Sequence, residues 1–290
     1  MGVAVKKVEG IEFFEKDIFR VFHAMGLVYG IKGRGANHTG HSALTSFHAT
    51  VNYSIKRSIM KVISSPAGAV NVKFSAVAFD LDGTLYPDFH LFFRLIPFSL
   101  KNYRLLRAMG KARAQLRKSG AYEGDFYELQ ARLMGEILGE ETGKVREKTD
   151  RLIYQGWVPL FKDIKLFPHL RETLDAFRKA GIRMGVLSDF PPETKLETMK
   201  LTRYWDVMLC SEESGRLKPD PLSFLELARK MGKNPEEILY VGNKLNYDVE
   251  GAHAAGMKAA LILPWWKKRP AASGVFVFSD YRQLRDFVLQ

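Results

Sequence analysis

The sequence predicts an α/β fold in which a parallel sheet carries helices on both faces and a helical domain is inserted near its start. Three observations support this fold. Short apolar segments recur after residue 72, helix-type segments separate most of them, and the stretch between Tyr86 and Phe167 contains no strand candidate. Alternating strands and helices are typical of a mostly parallel sheet, because parallel neighbours need a long crossover connection.

Six short apolar segments are the predicted strands. They comprise residues 74–79, 182–187, 207–210, 238–241, 259–263 and 275–278. Residues 169–180, 221–231 and 247–255 are predicted as helices, because each has apolar residues at helical spacing and is followed by a glycine.

Residues 87–165 are the predicted helical insert, and residues 70–86 together with 166–290 are the predicted core. The pattern of the insert predicts helices at 91–106, 110–118, 126–138 and 141–154. Gly120 and Gly124 are expected to bracket a turn, and Pro97 is expected to kink or break the first helix.

Composition limits the possible compartments. The single cysteine, Cys210, excludes a disulfide within the chain and fits a reducing compartment. No apolar run reaches the roughly 20 residues that cross a bilayer, and the first residues lack a signal-peptide core. We therefore expect a cytoplasmic protein with no transmembrane segment, and the oligomeric state stays open.

The formal net charge of +12 predicts an affinity for something anionic. No Asp or Glu occurs from Ile18 to Phe79, and a second basic stretch runs from Arg94 to Lys118. Neither stretch carries a recognised nucleic-acid-binding motif. A solvated helix face, or attraction for a phosphorylated substrate, is therefore favoured, and no nucleic-acid partner is expected.

Residues 1–69 are predicted to be a basic N-terminal extension with little order. Residues 30–41 are rich in glycine and histidine and lack hydrophobic periodicity, which is typical of a loop. His38, His41 and His48 have no acidic or cysteine partner nearby, so a polar, poorly ordered segment is favoured over a metal site.

The first predicted strand ends in Asp80 and Asp82, followed by Gly83 and Thr84. Residues two apart in a strand point the same way, so both carboxylates could face the carboxyl end of the sheet, where ligands bind. Two close carboxylates repel each other unless a cation lies between them or one is protonated, and Mg²⁺ is the simplest cation. Alone, an Asp-x-Asp pattern is more typical of a solvated turn.

Three later segments also follow predicted strands. Ser188 and Asp189 end the second strand, Lys218 precedes a helix that begins with proline, and Gly-Asn with a later Asp248 follows the fourth strand. Each segment alone is a weak signal, because a serine after a strand commonly caps a helix and a loop lysine is commonly solvated. In this order, each at a strand end, they indicate one shared site.

Taken together, these motifs resemble the haloacid dehalogenase superfamily of hydrolases, most of which are phosphatases. The resemblance covers residues 73–290 and implies a Rossmann-like parallel sheet. The spacing from Asp80 to Ser188 is long and that from Ser188 to Lys218 is short. This spacing is similar to the subfamily whose α-helical cap domain is inserted just after the first motif.

The resemblance also implies the catalytic roles. Asp80 would attack phosphorus and form an aspartyl-phosphate, and Asp82 would act as the general acid and base. Ser188 would hydrogen-bond a phosphoryl oxygen, and Lys218 would neutralise negative charge on the phosphoryl group and on Asp80.

The resemblance further implies Mg²⁺ as the cofactor, held by the Asp80 carboxylate, the main-chain carbonyl of Asp82, and Asp248. Thr84, Asp189 and Asn243 are the candidate substrate-binding residues. Relatives usually have aspartate where this chain has Asn243. The asparagine oxygen can still face the metal or a bound water but brings no negative charge, so weaker metal binding is expected.

The predicted function is a Mg²⁺-dependent phosphatase that hydrolyses a phosphate monoester of a small metabolite. The acid at Asp82 favours an oxygen leaving group over a halide, because a departing halide needs no proton. A phosphomutase of the same superfamily remains an alternative. So does a non-catalytic module that keeps this fold and binds an anionic partner.

Overall fold

The computed structural model describes residues 73–119, 124–265, 267, 270 and 274–290. The predicted N-terminal extension, its three histidines and Gly120 lie outside these residues. The division into a core and an inserted domain remains a prediction, and the elements are described below as they occur along the chain.

The centre of the fold is a six-stranded sheet whose neighbouring strands are all parallel. In chain order its strands are β1 Ala76–Phe79, β2 Arg183–Ser188, β3 Val207–Cys210, β4 Ile238–Gly242, β5 Lys258–Ile262 and β6 Val275–Phe278. Their order across the sheet is β3-β2-β1-β4-β5-β6. The first strand therefore lies between β2 and β4, the position from which its carboxyl end can meet residues from both neighbours.

All six predicted strands are confirmed, with boundaries that differ by at most two residues. The agreement has a physical basis. Every residue of β1 and of β4 is buried, as expected for parallel strands covered on both faces, which appear in sequence as continuous apolar runs.

Helices that follow β1 form the insert. They are α1 Asp88–Lys101, α2 Tyr103–Ser119, α3 Phe126–Leu138 and α4 Thr142–Thr149, continued by a π-helical turn at Asp150–Gln155 and a 3-10 turn at Val158–Phe161. We call the segment from α1 to this 3-10 turn the inserted helices.

The predicted boundary between the first two inserted helices was wrong, and the break considered at Pro97 does not occur. The boundary between α1 and α2 lies at Asn102, whereas the sequence predicted helices at 91–106 and 110–118. Pro97 lies inside α1 and does not end it. Because Pro97 is exposed, its ring lies on the solvent side of α1.

The remaining helices cover the two faces of the sheet. They are α5 Leu170–Lys179, α6 Glu193–Thr198, α7 Pro221–Met231, α8 Glu250–Ala254 and α9 Tyr281–Val288, with a π-helical turn at Leu245–Val249 before α8. The prediction for α7 is confirmed at both ends. In the part of the chain that the structure describes, no helix is long and apolar enough to cross a bilayer.

Alternate residues of β1 contribute to two hydrophobic cores. Val77 and Phe79 belong to a large cluster that also contains buried residues of α5, α9 and the inserted helices. Ala76 and Ala78 belong to a second cluster with residues of α7 and α8. The inserted helices therefore share a continuous hydrophobic core with one face of the sheet.

Candidate active site

The carboxyl ends of three adjacent strands bring the predicted site residues together. Phe79, the last residue of β1, pairs with Val186 of β2 and Val241 of β4. The next amide, of Asp80, donates to the carbonyl oxygen of Val241 at 2.8 Å. This register places the residues that follow β1, β2 and β4 at one edge of the sheet.

The centre of the site is Lys218, which is 4% exposed. Its Nζ donates to Oδ1 of Asp80 at 2.6 Å and to Oδ1 of Asp248 at 2.8 Å. The second oxygen of Asp80, Oδ2, accepts a hydrogen bond from the Thr84 hydroxyl at 2.8 Å. The candidate nucleophile is therefore held by one donor on each oxygen.

Burial and charge act in opposite directions on these groups. Burial raises the pKa of Asp80 to about 6, although Lys218 opposes the rise. Burial alone would lower the pKa of Lys218, but the carboxylates of Asp248 and Asp80 outweigh it and raise that pKa well above its ordinary value. Lys218 therefore remains a cation beside Asp80 at every physiological pH.

Asp82 lies at the same edge but has different partners. Its Oδ1 accepts a hydrogen bond from the Tyr86 hydroxyl at 2.5 Å, and its Oδ2 accepts one from Nζ of Lys195 at 2.7 Å. The two aspartates of the first motif are thus held by separate lysines. Lys195 was not predicted from the sequence, because a lysine in a short helix gives no signal of where its side chain lies.

Ser188 is the last residue of β2 and Asp189 follows it, and the two side chains have different environments. The Ser188 hydroxyl is buried and accepts a hydrogen bond from the amide of Phe190 at 3.1 Å. The Asp189 carboxylate accepts hydrogen bonds from Arg117 at 2.6 Å, from the Ser211 hydroxyl at 2.6 Å and from the amide of Lys218 at 3.2 Å. The predicted substrate-binding role of Asp189 stays a prediction, and in the structure its carboxylate joins α2 to the Lys218 loop.

These partners also explain the ionisation of Asp189. Burial alone would raise its pKa, but Arg117 and Lys218 outweigh burial and hold that pKa well below its usual range. Asp189 therefore keeps its negative charge, which is paired with Arg117 at 2.6 Å.

Asp248 and Asn243 follow β4 and are both buried. Oδ2 of Asp248 accepts the amides of Asn243 at 3.0 Å and Lys244 at 2.9 Å. Since Oδ1 of Asp248 accepts from Lys218, both of its oxygens are occupied by protein donors. The predicted role of Asp248 as a metal ligand would require it to share these oxygens.

Asn243 has an unmatched acceptor. Its Nδ2 lies 3.3 Å from Oδ2 of Asp88, the first residue of α1, and this contact fixes which way the amide faces. Within the described residues, Oδ1 of Asn243 is buried and accepts no hydrogen bond. Asp88 is a second residue that the sequence did not predict, because it belongs to the inserted helices rather than to a motif.

The oxygen atoms at this edge of the sheet could bind a hard cation, but only some of them belong to carboxylates. Across the residues that the structure describes, no three acidic, histidine or cysteine side chains form a group that could hold a metal ion. The Asp80 carboxylate, main-chain carbonyls and the unmatched Oδ1 of Asn243 are oxygen donors, the type that Mg²⁺ prefers. The residues therefore suit Mg²⁺ with few charged ligands.

A buried ionic group joins the inserted helices to the sheet. Arg113 of α2 has no exposed surface and forms an ion pair with Glu212, which follows β3. Arg113 also donates to the carbonyl oxygen of Asp189 at 3.0 Å, and the Tyr154 hydroxyl donates to Glu212 at 3.0 Å. The sequence indicated a basic stretch here but could not identify which of its members would be buried.

Beside this group is a cavity of about 50 Å³ between the inserted helices and α6. Its walls are mainly apolar and aromatic, and they include Trp157, Phe161 and Phe190. Lys195, the partner of Asp82, also lines it. Lys195 therefore lies between the cavity and the first motif.

Comparison with known proteins agrees with the fold and the motifs. A family model described as haloacid dehalogenase-like hydrolase matches residues 74–256. A solved structure of a HAD phosphatase from Thermococcus onnurineus is similar with a TM-score of 0.51 and 23% identity, over 73% of this chain and 96% of that chain. This similarity supports the predicted architecture.

Two curated relatives have similar sequences. A phosphoglycolate phosphatase of Nitrosospira multiformis is 28% identical over 190 residues, which cover 62% of this chain and 79% of the relative. A glyceraldehyde 3-phosphate phosphatase of Methanothermobacter thermautotrophicus is 30% identical over 199 residues, which cover 64% of this chain and 84% of the relative.

Proposed function

Because the chain belongs to the haloacid dehalogenase-like hydrolases, we propose that it is a phosphatase that hydrolyses a phosphate monoester of a small metabolite. The observation that carries this proposal is the separate support of the two aspartates, Asp80 by Lys218 and Asp82 by Lys195. Two carboxylates in unlike environments can take unlike roles. The phosphatase relatives support the same reaction class.

In the proposed reaction, a carboxylate oxygen of Asp80 attacks phosphorus and the bond from phosphorus to the alcohol oxygen breaks. Asp82, which has to carry a proton in the substrate complex, gives that proton to the departing oxygen. A water molecule then attacks the aspartyl-phosphate, Asp82 takes the proton of that water, and release of inorganic phosphate restores Asp80. Lys218 balances negative charge at phosphorus throughout, and Thr84 holds the second oxygen of Asp80.

The remaining proposals concern binding. Ser188 is proposed to hydrogen-bond a phosphoryl oxygen, and Asp189 and Asn243 to shape the phosphate site. Mg²⁺ would be held by Asp80, the main-chain carbonyl of Asp82 and a residue after β4, and when bound it would offset repulsion between Asp80 and the substrate. Asp248 is one candidate for that residue, and Asn243 is another, because its Oδ1 is buried and accepts no hydrogen bond among the described residues.

Residues 87–165 are proposed as the cap domain that selects the substrate. A cytoplasmic location is proposed because the one cysteine, Cys210, is buried and free, which suits a reducing compartment.

The test is a panel of phosphate monoesters offered to the full-length chain with MgCl₂ and, separately, with excess EDTA. We expect release of inorganic phosphate that EDTA abolishes and that Asp80→Asn reduces by at least about 1,000-fold. Asp175→Asn is the matched control, since Asp175 is exposed and its nearest cation, Arg203, lies 3.8 Å away.

Three results would contradict the proposal. Full activity in Asp80→Asn would remove the nucleophile assignment. An isomeric phosphate ester in place of inorganic phosphate would indicate a phosphomutase. Binding of phosphate esters without turnover in the wild-type chain would favour a non-catalytic module.

A further inference from the structure

Lys195 is a buried cation placed between the first motif and the cavity beside the inserted helices. It is 7% exposed, and its Nζ lies 2.7 Å from Oδ2 of Asp82. The same Nζ lies 4.9 Å from the ring centroid of Phe161 and 5.1 Å from that of Phe190. Aromatic faces attract a cation but do not neutralise its charge. Asp82 is therefore the counter-ion of Lys195 in this state.

Both oxygens of Asp82 already accept a hydrogen bond from a protein donor. Its Oδ2 accepts from Lys195 and its Oδ1 accepts from Tyr86. A leaving-group oxygen must come within hydrogen-bond distance of Asp82 to receive its proton. Of the two donors, Lys195 is the one that also lines the cavity, so its side chain has space to turn away from Asp82 when a leaving-group oxygen approaches.

Moving Lys195 away from Asp82 has an electrostatic cost. Removing one partner from a buried ion pair leaves an uncompensated charge, which is strongly unfavourable. Among the residues that line the cavity, Lys195 is the one charged side chain. When Lys195 turns toward the cavity, an anionic group of the substrate can take the place of Asp82 as its counter-ion.

We propose that Lys195 binds a carboxylate of the substrate, and that the substrate class is small phosphate monoesters with a carboxylate close to the ester oxygen. A carboxylate carries one negative charge, and it can therefore replace the carboxylate of Asp82 as the counter-ion of Lys195. The cavity of about 50 Å³ has room for a group of a few atoms. This inference rests on the proposed phosphatase function and adds a specificity residue to it.

The experiment compares two esters that differ at one group. Phosphoglycolate carries a carboxylate where ethyl phosphate carries a methyl group, and both have the same ester linkage. We expect the wild-type chain to favour phosphoglycolate in kcat/KM. Lys195→Met is expected to reduce the ratio of the two kcat/KM values by about 10- to 100-fold, the effect of one hydrogen bond to a charged group. Lys195→Arg, which keeps the charge, is expected to restore part of the ratio.

A binding measurement separates this inference from the proposed function. Calorimetric titration with 3-phosphonopropionate and with propylphosphonate, which resist hydrolysis, uses the same contrast of carboxylate and methyl. We expect the carboxylate compound to bind more tightly to the wild-type chain and to lose that advantage in Lys195→Met. Thermal unfolding of each variant shows whether it is folded.

The outcomes are distinct. One outcome is that Lys195→Met leaves unchanged both the ratio of kcat/KM values for the two esters and the ratio of affinities for the two phosphonates. Lys195 then does not recognise a carboxylate and the inference is wrong, even when the esters are hydrolysed efficiently. The inference is also wrong if Lys195→Met lowers kcat/KM more for ethylene glycol bisphosphate than for phosphoglycolate. The group bound by Lys195 is then a phosphate. If no ester is hydrolysed but the phosphonate contrast holds, the proposed phosphatase function fails and the carboxylate site remains.

Discussion

At the scale of single residues, Asn243 distinguishes this site, because it offers an oxygen without a negative charge beside Asp80. Its amide nitrogen faces Asp88 and its oxygen has no hydrogen-bond partner among the described residues. Asp88 thus places an acidic group beside Asn243 from the first turn of α1. Burial raises the pKa of Asp88 to about 7.

Asn243→Asp is expected to strengthen Mg²⁺ binding roughly tenfold, because it adds a charged oxygen ligand. Calorimetric titration with MgCl₂ measures the affinity. Asn234→Asp, at an exposed position that follows α7, is the matched control. Unchanged affinity in Asn243→Asp would show that the side chain at 243 does not face the metal.

A second residue-scale prediction concerns Asp189, whose pKa is held below its usual range by Arg117 and Lys218. A carboxylate with a lowered pKa stabilises the fold above its ordinary pKa, and this contribution is lost as pH falls toward the folded value. Asp189→Asn is therefore expected to lower the free energy of unfolding at pH 7 by about 3 kcal/mol.

The difference in the free energy of unfolding between wild type and Asp189→Asn should become smaller as pH falls from about 4 toward 2. Urea unfolding at a series of pH values measures it. Asp175→Asn, at an exposed ion pair, is expected to change stability by less than about 0.5 kcal/mol. A loss in Asp189→Asn that is the same at pH 7 and pH 3 would rule out the ionic explanation.

The sequence could predict the core of this site and not its surroundings. The strand-end rule brought together Asp80, Ser188 and Lys218 because the termini of neighbouring parallel strands must meet. Lys195 and Asp88 were missed, because their positions depend on the packing of helices against the sheet. No local pattern encodes that packing.

At the scale of elements, strands were easier to predict than the inserted helices. Buried parallel strands are continuous apolar runs, so their bounds are visible in the sequence. Helices α1 and α2 meet at Asn102, where the side chain and the amide both donate to the carbonyl oxygen of Phe98. That cap gives a weak sequence signal, and the proline at Pro97 suggested a break where none exists.

Pro97 should lower the stability of α1 without ending it. It lacks the N–H that would donate to the carbonyl of Phe93, one turn earlier. Because Pro97 is exposed, Pro97→Ala is expected to raise the free energy of unfolding by about 1–2 kcal/mol. Leu100→Ala, exposed on the same helix, serves as the control in thermal unfolding, and a destabilised Pro97→Ala would contradict the prediction.

At the scale of the whole molecule, the six strands and all proposed site residues lie between residues 73 and 290. A chain that begins at Met60 is therefore expected to fold and to keep its kcat/KM for a phosphate monoester within about twofold, since it retains every contact described above. Circular dichroism and the phosphate-release assay measure this. A soluble but inactive short chain would assign a function to the first segment.

Arg113 lies wholly inside the protein, between the inserted helices and the sheet, with Glu212 on one side and the carbonyl of Asp189 on another. If the inserted helices move apart from the sheet to release a product, this guanidinium must become hydrated while Glu212 does the same. Such an opening raises the free energy of the protein, so we expect the closed conformation to be the predominant one. Substrate would then enter through rare, brief openings, and added viscogen or salt would alter turnover even if the chemical step were untouched.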